Sequence, residues 1–335
     1  MKLNLKKYIF TFILLYILVP INAQVIGIRD TILMGSKFKI TLVDNDSISV
    51  EKNINKAIDE MIRIEKLISD WIPTSQVSLV NQNAGIKPIK VDQEVFELTE
   101  RAIYFSEITK GAFDISFAAM DKIWKFDGSM DTIPSKEEID KAIKNIGYQN
   151  IILDKTNSTI FLKKAGMKIG FGSTGKGYAA QKAREYLTHL GIKAGIIDAS
   201  GDMTTWGTQP NGKAWKIGIT NPFQRYKMAD ILSMKNAAVT TSGDYEKFIL
   251  IDGIRYSHII NPKTGKPSTG LTGVTVIGPN AEFCNGFSTS IMVLGKEKGL
   301  ELVNQQKEYA ALLITDYGRI IKSKNYRKIK KNLLK

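Results

Sequence analysis

The fold is decided by the stretch Met167-Lys168-Ile169-Gly170-Phe171-Gly172-Ser173-Thr174-Gly175-Lys176-Gly177-Tyr178-Ala179-Ala180. The short apolar segment Ile160–Leu162 precedes it, and apolar residues recur every three or four positions from Tyr178 to Leu190. Gly191 then stands where a helix would stop. The sequence therefore predicts a glycine turn between a strand and a helix. Free backbone N–H groups and the helix dipole favour an anion at such a place.

Two nucleotide-binding patterns overlap this turn, and neither fits well. Gly170-x-Gly172-x-x-Gly175 matches the dinucleotide fingerprint, and the same turn with Lys176 matches most of a P-loop. A P-loop needs Ser or Thr after its lysine, whereas this chain has Gly177 there. A dinucleotide-binding fold needs strands that alternate with helices, and the residues before the turn do not alternate in that way. Anion binding by the turn itself survives both rejections.

Residues 1–23 have the pattern of a secretory signal peptide. Lysines at positions 2, 6 and 7 precede the apolar core Tyr8–Ile21, and Ala23 is a small residue at the expected cut. We therefore expect an exported, periplasmic protein in which residues 24–335 form one domain. The only cysteine, Cys284, cannot form an internal disulfide. No cysteine lies near the cut, so a lipid anchor on an N-terminal cysteine is not expected.

The chain is basic, with a formal charge of +14, and part of this charge lies at its end. From Arg319 to Lys335 there are eight Lys and Arg residues and no acid. Nucleic acid is not an expected partner outside the cytoplasm. Two interpretations of this tail stay open: a solvated segment, or a peripheral contact with anionic lipid or an acidic partner.

Helical periodicity is strongest in the first half of the chain and strand patterns are strongest in the second. Helices are predicted at Ile54–Ile68, Val95–Thr109, Glu137–Ile146, Tyr178–Leu190, Asn285–Leu294 and Glu297–Gln305. Strands are predicted at Ile32–Leu42 (with a bend at Met34-Gly35), Ala194–Ile197, Trp215–Ile219, Ala238–Thr241, Phe248–Ile251, Val274–Ile277, Ala311–Thr315 and Arg319–Lys322. This order favours one α+β domain with a mostly antiparallel sheet.

The two histidines have different settings. His189 lies in the last turn of a predicted helix, where a cation suits the helix dipole, so a structural role is expected. His258 lies where a strand runs into a turn, Asn261-Pro262-Lys263-Thr264-Gly265. A strand-end histidine that faces a site is a natural general base at neutral pH.

Asn285, Ser288 and Thr289 are spaced i, i+3, i+4 and share one helix face. Oxygen ligands so placed suit Mg²⁺ better than zinc. The alternative is structural: Asn285 caps the helix, with the two hydroxyl residues in its first turn.

Together these residues resemble a known family, the ApbE-type FAD:protein FMN transferases. The resemblance rests on segments that follow the family's order over nearly the whole chain. They are Met34-Gly35-Ser36, Ser69-Asp70-Trp71-x-Pro73-x-Ser75-x-Val77-Ser78-x-x-Asn81, Gly111-Ala112-Phe113-Asp114-Ile115-Ser116, Trp124-x-Phe126, the central turn, Ala199-Ser200-Gly201-Asp202, Thr241-Ser242-Gly243-Asp244-Tyr245-Glu246, His258-Ile259-Ile260-Asn261-Pro262-x-Thr264-Gly265 and Asn285-x-x-Ser288-Thr289.

The resemblance implies Mg²⁺-dependent transfer of FMN from FAD to a threonine hydroxyl of an acceptor flavoprotein, with release of AMP. The implied acceptor is a subunit of a membrane-bound electron-transport complex. The implied FAD contacts are Met34, Trp71, Ala112, Phe113, Asp114, Gly170, Lys176 and Ile259. The implied metal ligands are Ser173 (by its carbonyl), Asn285, Ser288 and Thr289, and His258 is the candidate base, with Asp244 or Glu246 as competing carboxylates.

Two positions depart from the family pattern. The family has an acid where this chain has Gly170, and a metal-binding aspartate where it has Asn285. These departures keep two other hypotheses open. One is hydrolysis of FAD to FMN and AMP in the same pocket, and the other is an FAD-binding protein without catalysis.

Overall fold

The structure is a computed structural model that describes residues 24–224, 226–243 and 248–334. The predicted signal peptide and the candidate bases Asp244 and Glu246 lie outside the described residues. The helices are α1 Ser47–Ile68, α2 Gln76–Gln82, α3 Gln93–Ile108, α4 Lys136–Ala142, α5 Gly175–His189, α6 Ala281–Asn304 and α7 Tyr326–Asn332. The strands are β1 Val25–Leu33, β2 Ser36–Asp44, β3 Ile89–Lys90, β4 Ile151–Asp154, β5 Thr159–Leu162, β6 Ala194–Ala199, β7 Asp202–Trp206, β8 Trp215–Thr220, β9 Met228–Met234, β10 Ala237–Gly243, β11 Phe248–Ile251, β12 Ile254–Ser257, β13 Leu271–Gly278, β14 Ala310–Thr315 and β15 Ile320–Lys322.

An eight-stranded sheet forms the centre, in the order β1-β2-β6-β7-β10-β13-β14-β15. Every neighbouring pair in it is antiparallel. Helices α1, α5 and α6 pack on one face and bury the main hydrophobic core there. The predicted α+β class and the mostly antiparallel sheet are confirmed, in one compact domain. No helix in the described ranges is both long and apolar enough to cross a bilayer.

The first predicted strand is in fact a tight hairpin. Leu33 pairs with Ser36, and the chain reverses between them through Met34 (φ 49°) and Gly35 (φ 67°). Two successive positive φ angles are the geometry of a two-residue hairpin turn, so the chain turns back where only a bend was predicted.

Helix α1 carries the predicted apolar stripe, with Ile54, Met61 and Ile64 buried. It begins seven residues before the predicted start, where the Asp46 side chain accepts a hydrogen bond from the backbone N–H of Ser49 at 2.8 Å. It ends at Ile68, as predicted, and Ser69 leaves the helical conformation with φ −72° and ψ 120°.

The two predicted helices near the C-terminus form one helix, α6, interrupted at Gly295 (φ 76°). Asn280 caps it, since its side chain accepts a hydrogen bond from the backbone N–H of Phe283 at 3.1 Å. Asn285 lies more than a turn further on. The interpretation of Asn285 as the helix cap is therefore wrong.

The basic C-terminal segment is folded up to Leu334, but most of its Lys and Arg residues are exposed, so solvation and a peripheral contact both stay predictions. Strand β15 pairs with β14, and α7 buries Tyr326, Ile329 and nearby Leu333 against the second face of the sheet. Among the described residues, Asp230 joins this segment to β9. Its carboxylate accepts hydrogen bonds from the ammonium groups of Lys322, at 2.7 Å, and of Lys330.

The Asp230 ion pairs are expected to stabilise the fold at neutral pH. Burial alone would raise the pKa of Asp230, but the hydrogen bonds from the two lysines outweigh burial and lower that pKa to about 2 from 3.8. A depressed pKa stabilises the folded state above the unfolded value, and the effect disappears as pH falls from about 4 to about 2. Asp230→Asn should lower the free energy of unfolding by about 1 kcal/mol at pH 7, because both lysines are partly exposed.

Urea unfolding at pH 7 and at pH 2.5 measures this difference. Lys328→Ala is the control. Lys328 is exposed on α7, the helix that carries Lys330, and it forms no ion pair among the described residues. An Asp230→Asn deficit that is equally large at both pH values would contradict the assignment.

Candidate functional site

The predicted site residues converge on one cleft of about 550 Å³, hereafter the central cleft. It lies where the start of α5, the middle of α6 and the end of β10 meet two loop segments, 112–118 and 258–262. Eleven of the thirteen predicted residues line it: Trp71, Ala112, Phe113, Asp114, Gly170, Ser173, Lys176, His258, Ile259, Asn285 and Thr289. Met34 and Ser288 do not line it.

The glycine turn forms one wall of the central cleft, with a correction to its predicted position. Helix α5 already begins at Gly175, so Gly175 and Gly177 lie within the helix, and only Gly170 and Gly172 of the glycine pattern precede it. The backbone N–H groups of Thr174 and Gly175 both bond to the carbonyl of Phe171, at 3.1 and 2.6 Å, which closes the turn. Thr174 provides no side-chain cap, and its buried hydroxyl has no hydrogen-bond partner in the structure. The first backbone N–H groups of α5 are therefore available to bind an anion.

Gly177 explains why this turn is not a P-loop. A Cβ at this position would lie 2.7 Å from the carbonyl oxygen of Ala281 and 3.2 Å from the Cβ of Asn285. The residue after Lys176 must therefore be glycine, because α6 lies directly against it. This contact places Asn285 beside the start of α5.

Lys176 is held by Asp202, a residue to which the sequence assigned no role. The two side chains form an ion pair at 2.6 Å; the Asp202 side chain is buried and that of Lys176 is about one quarter exposed. Burial raises the pKa of Asp202, and the ammonium of Lys176 opposes that shift. The only signal in the sequence was the position of Asp202 in the segment Ala199-Ser200-Gly201-Asp202.

The predicted metal ligands offer neutral oxygen atoms. Asn285 is buried and its Oδ1 atom has no hydrogen-bond partner in the structure, while Thr289 lies one turn further along the same wall. Ser288 lies behind them, with its hydroxyl 2.8 Å from that of Ser242 and donating to the carbonyl of Asn285. Ser242, which lines the cleft and lies 3.3 Å from the Thr289 hydroxyl, was not predicted as a site residue.

This donor set fits Mg²⁺ in kind, because amide, hydroxyl and carbonyl oxygens are the ligands of a hard cation. A buried amide oxygen without a partner is costly unless a ligand satisfies it. The described residues contain no group of three or more His, Cys, Asp and Glu side chains that could hold a metal. None of the predicted ligands carries a negative charge, so a substrate phosphate would strengthen the binding of a cation here.

Asp114 organises the loop that forms the opposite wall. Its carboxylate accepts hydrogen bonds from the N–H and O–H groups of Ser116, at 2.8 and 2.6 Å, and from the N–H of Tyr148 at 2.8 Å. Burial raises the pKa of Asp114, and these bonds oppose the shift. Asp114 thus fixes the loop that carries Ala112 and Phe113 to the cleft.

His258 follows the end of β12, as predicted, and is exposed to the central cleft. Its ring makes an edge contact with Phe126, with 6.4 Å between the ring centroids. The next residue, Ile259, is fixed by its N–H bond to the Ser257 hydroxyl and by two bonds from Ser268 to its carbonyl.

Trp71 and Met34 lie at the edges of this arrangement. The Trp71 side chain is 78% exposed, and the Lys122 ammonium lies 4.7 Å from its ring centroid. The side chain is therefore exposed at the cleft, and a planar ligand that stacks on the face under Lys122 would have to displace that ammonium. Met34 instead packs beneath the site, with its Cε atom 3.5 Å from where a Cβ on Gly175 would be.

A second cavity, between α1, α3, α5 and α6, has about the same volume, 570 Å³, but a different character. Its charged side chains already pair with each other: Arg63 with Glu94 at 2.7 Å and Arg101 with Glu282 at 2.8 Å. The central cleft, by contrast, has an exposed indole and an amide oxygen, Asn285 Oδ1, that no group among the described residues hydrogen-bonds. We therefore take the central cleft as the candidate site.

The model of one protein family, described as the ApbE family, matches residues 34–313 of this chain. An FAD:protein FMN transferase from Klebsiella pneumoniae is 30% identical over 294 residues, which cover 87% of this chain and 90% of that protein. One from Treponema pallidum is 29% identical, covering 80% of this chain and 79% of that protein.

Solved structures agree with the sequence comparisons. The ApbE protein from Thermotoga maritima aligns with a TM-score of 0.82 and 29% identity, over 91% of this chain and 99% of that one. The flavinyl transferase ApbE from Pseudomonas stutzeri, in its apo form, aligns with a TM-score of 0.80 and 27% identity, over 91% of this chain and 97% of that one.

The Lys176–Asp202 pair is expected to show strong coupling. Lys176→Met leaves a buried carboxylate unpaired and should lower the free energy of unfolding by about 3 kcal/mol. Adding Asp202→Asn should recover part of that loss, since the double variant buries no unpaired charge. Urea unfolding of the two single variants and the double variant measures the coupling. If the loss of unfolding free energy in the double variant equals the sum of the two single losses, the side chains are not coupled, which would contradict the ion pair.

Proposed function

The chain belongs to the ApbE family, and on that basis we propose that it is an FAD:protein FMN transferase. The proposed reaction moves FMN from FAD to a threonine hydroxyl of an acceptor flavoprotein. The threonine oxygen attacks the phosphorus of the FMN half, the bond from that phosphorus to the bridging oxygen breaks, and AMP leaves with the bridging oxygen. The hydroxyl proton passes to a base.

Such a displacement needs positive charge at the pyrophosphate, a positioned nucleophile and a base for its proton. One observation carries the proposal: Lys176, the unpartnered oxygen of Asn285 and His258 all line the same cleft. These residues lie more than 25 positions apart in sequence. The close packing of α5 on α6 brings Lys176 and Asn285 together.

Lys176 and the start of α5 are suited to hold the pyrophosphate. The N–H groups of the first helical turn carry partial positive charge, and the Lys176 ammonium adds charged N–H donors, although Asp202 balances its charge. Asp202 keeps that ammonium in one place, at 2.6 Å. An anchored cation loses little conformational entropy when the substrate arrives.

Asn285, Thr289 and the carbonyl of Ser173 would hold Mg²⁺, with Ser288 in support. When bound, the ion supplies positive charge to the pyrophosphate oxygens. The protein offers it no carboxylate among the predicted ligands. We therefore propose that FAD and the metal bind together, with the pyrophosphate completing the charge of the site.

His258 would take the threonine proton. It lies beside Ile259, the proposed flavin contact, and it borders a neighbouring cavity of about 690 Å³. An acceptor segment that enters through this cavity would bring its hydroxyl to the imidazole. The other histidine, His189, lies in the last turn of α5, as predicted, and has no part in this site.

The direct test is a transfer assay. The purified chain is incubated with FAD, Mg²⁺ and a threonine-bearing flavoprotein acceptor domain, and covalent flavin is read as fluorescence on a denaturing gel. The control is the same acceptor with its threonine changed to alanine. The proposal predicts a fluorescent adduct with the first acceptor alone and one AMP per adduct.

The competing hypotheses give different outcomes in this assay. AMP release at a rate that the acceptor does not change would indicate an FAD pyrophosphatase. FAD binding with neither an adduct nor AMP would indicate a binding protein without catalysis.

We further propose that the protein is exported to the periplasm and that its acceptor belongs to a membrane-bound electron-transport complex. The exposed basic residues of α7 would favour a membrane surface, since each lysine or arginine near anionic lipid contributes about 1 kcal/mol. Co-sedimentation with vesicles, with and without phosphatidylserine, tests that contact. Equal binding to both would contradict it.

His258→Gln is expected to slow transfer by about two to four powers of ten, the range for loss of a general base. FAD affinity should change little, because the lost interaction is confined to the transition state. His189→Gln serves as the control. Near-native transfer by His258→Gln would remove His258 from the mechanism.

Asn285→Asp is expected to tighten Mg²⁺ binding in the absence of FAD by at least about tenfold. A carboxylate 4 Å from one unit of charge gains about 4 kcal/mol at an effective dielectric of 20, before desolvation costs. Isothermal titration calorimetry measures the change. Asn280→Asp is the matched control, since Asn280 caps the same helix but does not line the central cleft. Equal Mg²⁺ affinity in Asn285→Asp and the native protein would place the metal elsewhere.

A further inference from the structure

The carboxylate of Asp70 lies where a side chain at position 170 would be. A Cβ on Gly170 would lie 3.2 Å from Asp70 Oδ2 and 3.1 Å from the Cβ of Ala118. Gly170 has no left-handed φ angle, so its backbone would accept a side chain, but a Cβ there would require Asp70 and Ala118 to move by a few tenths of an ångström. The missing side chain leaves room for Asp70 at the wall of the central cleft, which both residues line.

Helix α2 fixes both of these positions. The hydroxyl of Ser75, which caps α2, donates to the carbonyl of Ser69 at 2.6 Å. At the other end of α2, the Asn81 side chain accepts from the N–H of Ile169 at 2.7 Å and donates to its carbonyl at 2.9 Å. Helix α2 therefore holds the residues that precede Asp70 and Gly170. The backbone from which the Asp70 carboxylate reaches the cleft is thus fixed in position.

We propose that Asp70 positions the substrate in the central cleft, an inference that rests on the proposed function. Its carboxylate accepts a hydrogen bond from a hydroxyl or ring N–H group of FAD. Within the described ranges, the carboxylate has no hydrogen bond or ion pair with another side chain. Its acceptor capacity is thus available to a ligand.

The charge of Asp70 also separates the pyrophosphate from the donor groups of FAD along the cleft. Gly170 stands five residues before Gly175, where the positive end of α5 begins. A phosphate is attracted to that end and repelled by the carboxylate, whereas hydroxyl and N–H donors are attracted to the carboxylate. Trp71, next to Asp70, offers an exposed aromatic face to a planar ring. Asp70 therefore binds a donor-bearing half of FAD, with the pyrophosphate at the helix start.

The test measures the dissociation constant of FAD by fluorescence titration. Asp70→Ala should weaken FAD binding by about ten- to hundredfold, the effect of losing a hydrogen bond to a charged group. Its melting temperature should be unchanged, because Asp70 is exposed. Asp121→Ala is the matched control, since Asp121 is an exposed acid that lines the neighbouring cavity but not the central cleft.

Titrations with FMN and with ADP identify the half of FAD that Asp70 contacts. A loss of affinity for only one of the two ligands supports a positioned hydrogen bond. Equal changes for both ligands would indicate a general charge effect and would overturn the assignment.

Moving the carboxylate from residue 70 to residue 170 tests whether its position in the cleft is what matters. Gly170→Asp brings a second carboxylate beside Asp70 and should weaken FAD binding. The double variant Gly170→Asp/Asp70→Ala moves the one carboxylate by a few ångströms and should recover most of the affinity. Losses that simply add in the double variant would contradict a shared position.

These outcomes separate the two proposals. If the native protein binds no FAD, the proposed function fails, and the role of Asp70 fails with it. If the native protein binds FAD and Asp70→Ala binds it equally well, only the role of Asp70 is overturned.

Discussion

The site depends on the close approach of two helices at Gly177. The backbone of α6 lies so near that a Cβ at this position would be 2.7 Å from the carbonyl of Ala281. This contact places Lys176, on the first turn of α5, and Asn285, on α6, in the same cleft. The sheet supports both helices on one face. A larger residue at 177 would separate the anion-binding turn from the proposed metal ligands.

The electrostatics of the cleft are incomplete without substrate. Lys176 is neutralised by Asp202, and the proposed metal ligands carry no charge. The start of α5 lacks a side-chain cap, and the Oδ1 atom of Asn285 lacks a partner in the structure. A pyrophosphate with its divalent cation would complete each of these groups. If the proposed function holds, the neutral ligand set would favour the metal–substrate pair over either component alone, because the predicted ligands balance neither charge.

The sequence predicted the helix α5, the antiparallel sheet and most of the cleft, because these follow from apolar periodicity and from ordered motifs. It could not predict the hairpin at Met34-Gly35, because a bend and a reversal have the same local composition. It also misjudged Asn285 as a possible helix cap, since the actual cap, Asn280, differs from it only by position.

The roles of Asp202 and Asp70 could not be predicted from the sequence, for a different reason. Asp202 meets Lys176 across 26 residues, and Asp70 meets Gly170 across 100. Only the packed fold brings such residues together, and no local pattern records the pairing. From the sequence alone, Gly170 shows only that the acid of the family pattern is missing. The structure shows that the carboxylate of Asp70 lies beside that position.

The central claim is that one cleft holds the FAD pyrophosphate at the start of α5 and its metal at Asn285. A crystal structure of the protein with FAD and Mg²⁺ tests it most directly. We predict phosphate density against the backbone of Gly172–Gly177, with Mg²⁺ in contact with the side-chain oxygens of Asn285 and Thr289. FAD bound instead in the cavity of Arg63 and Arg101, or metal bound away from Asn285, would contradict the account.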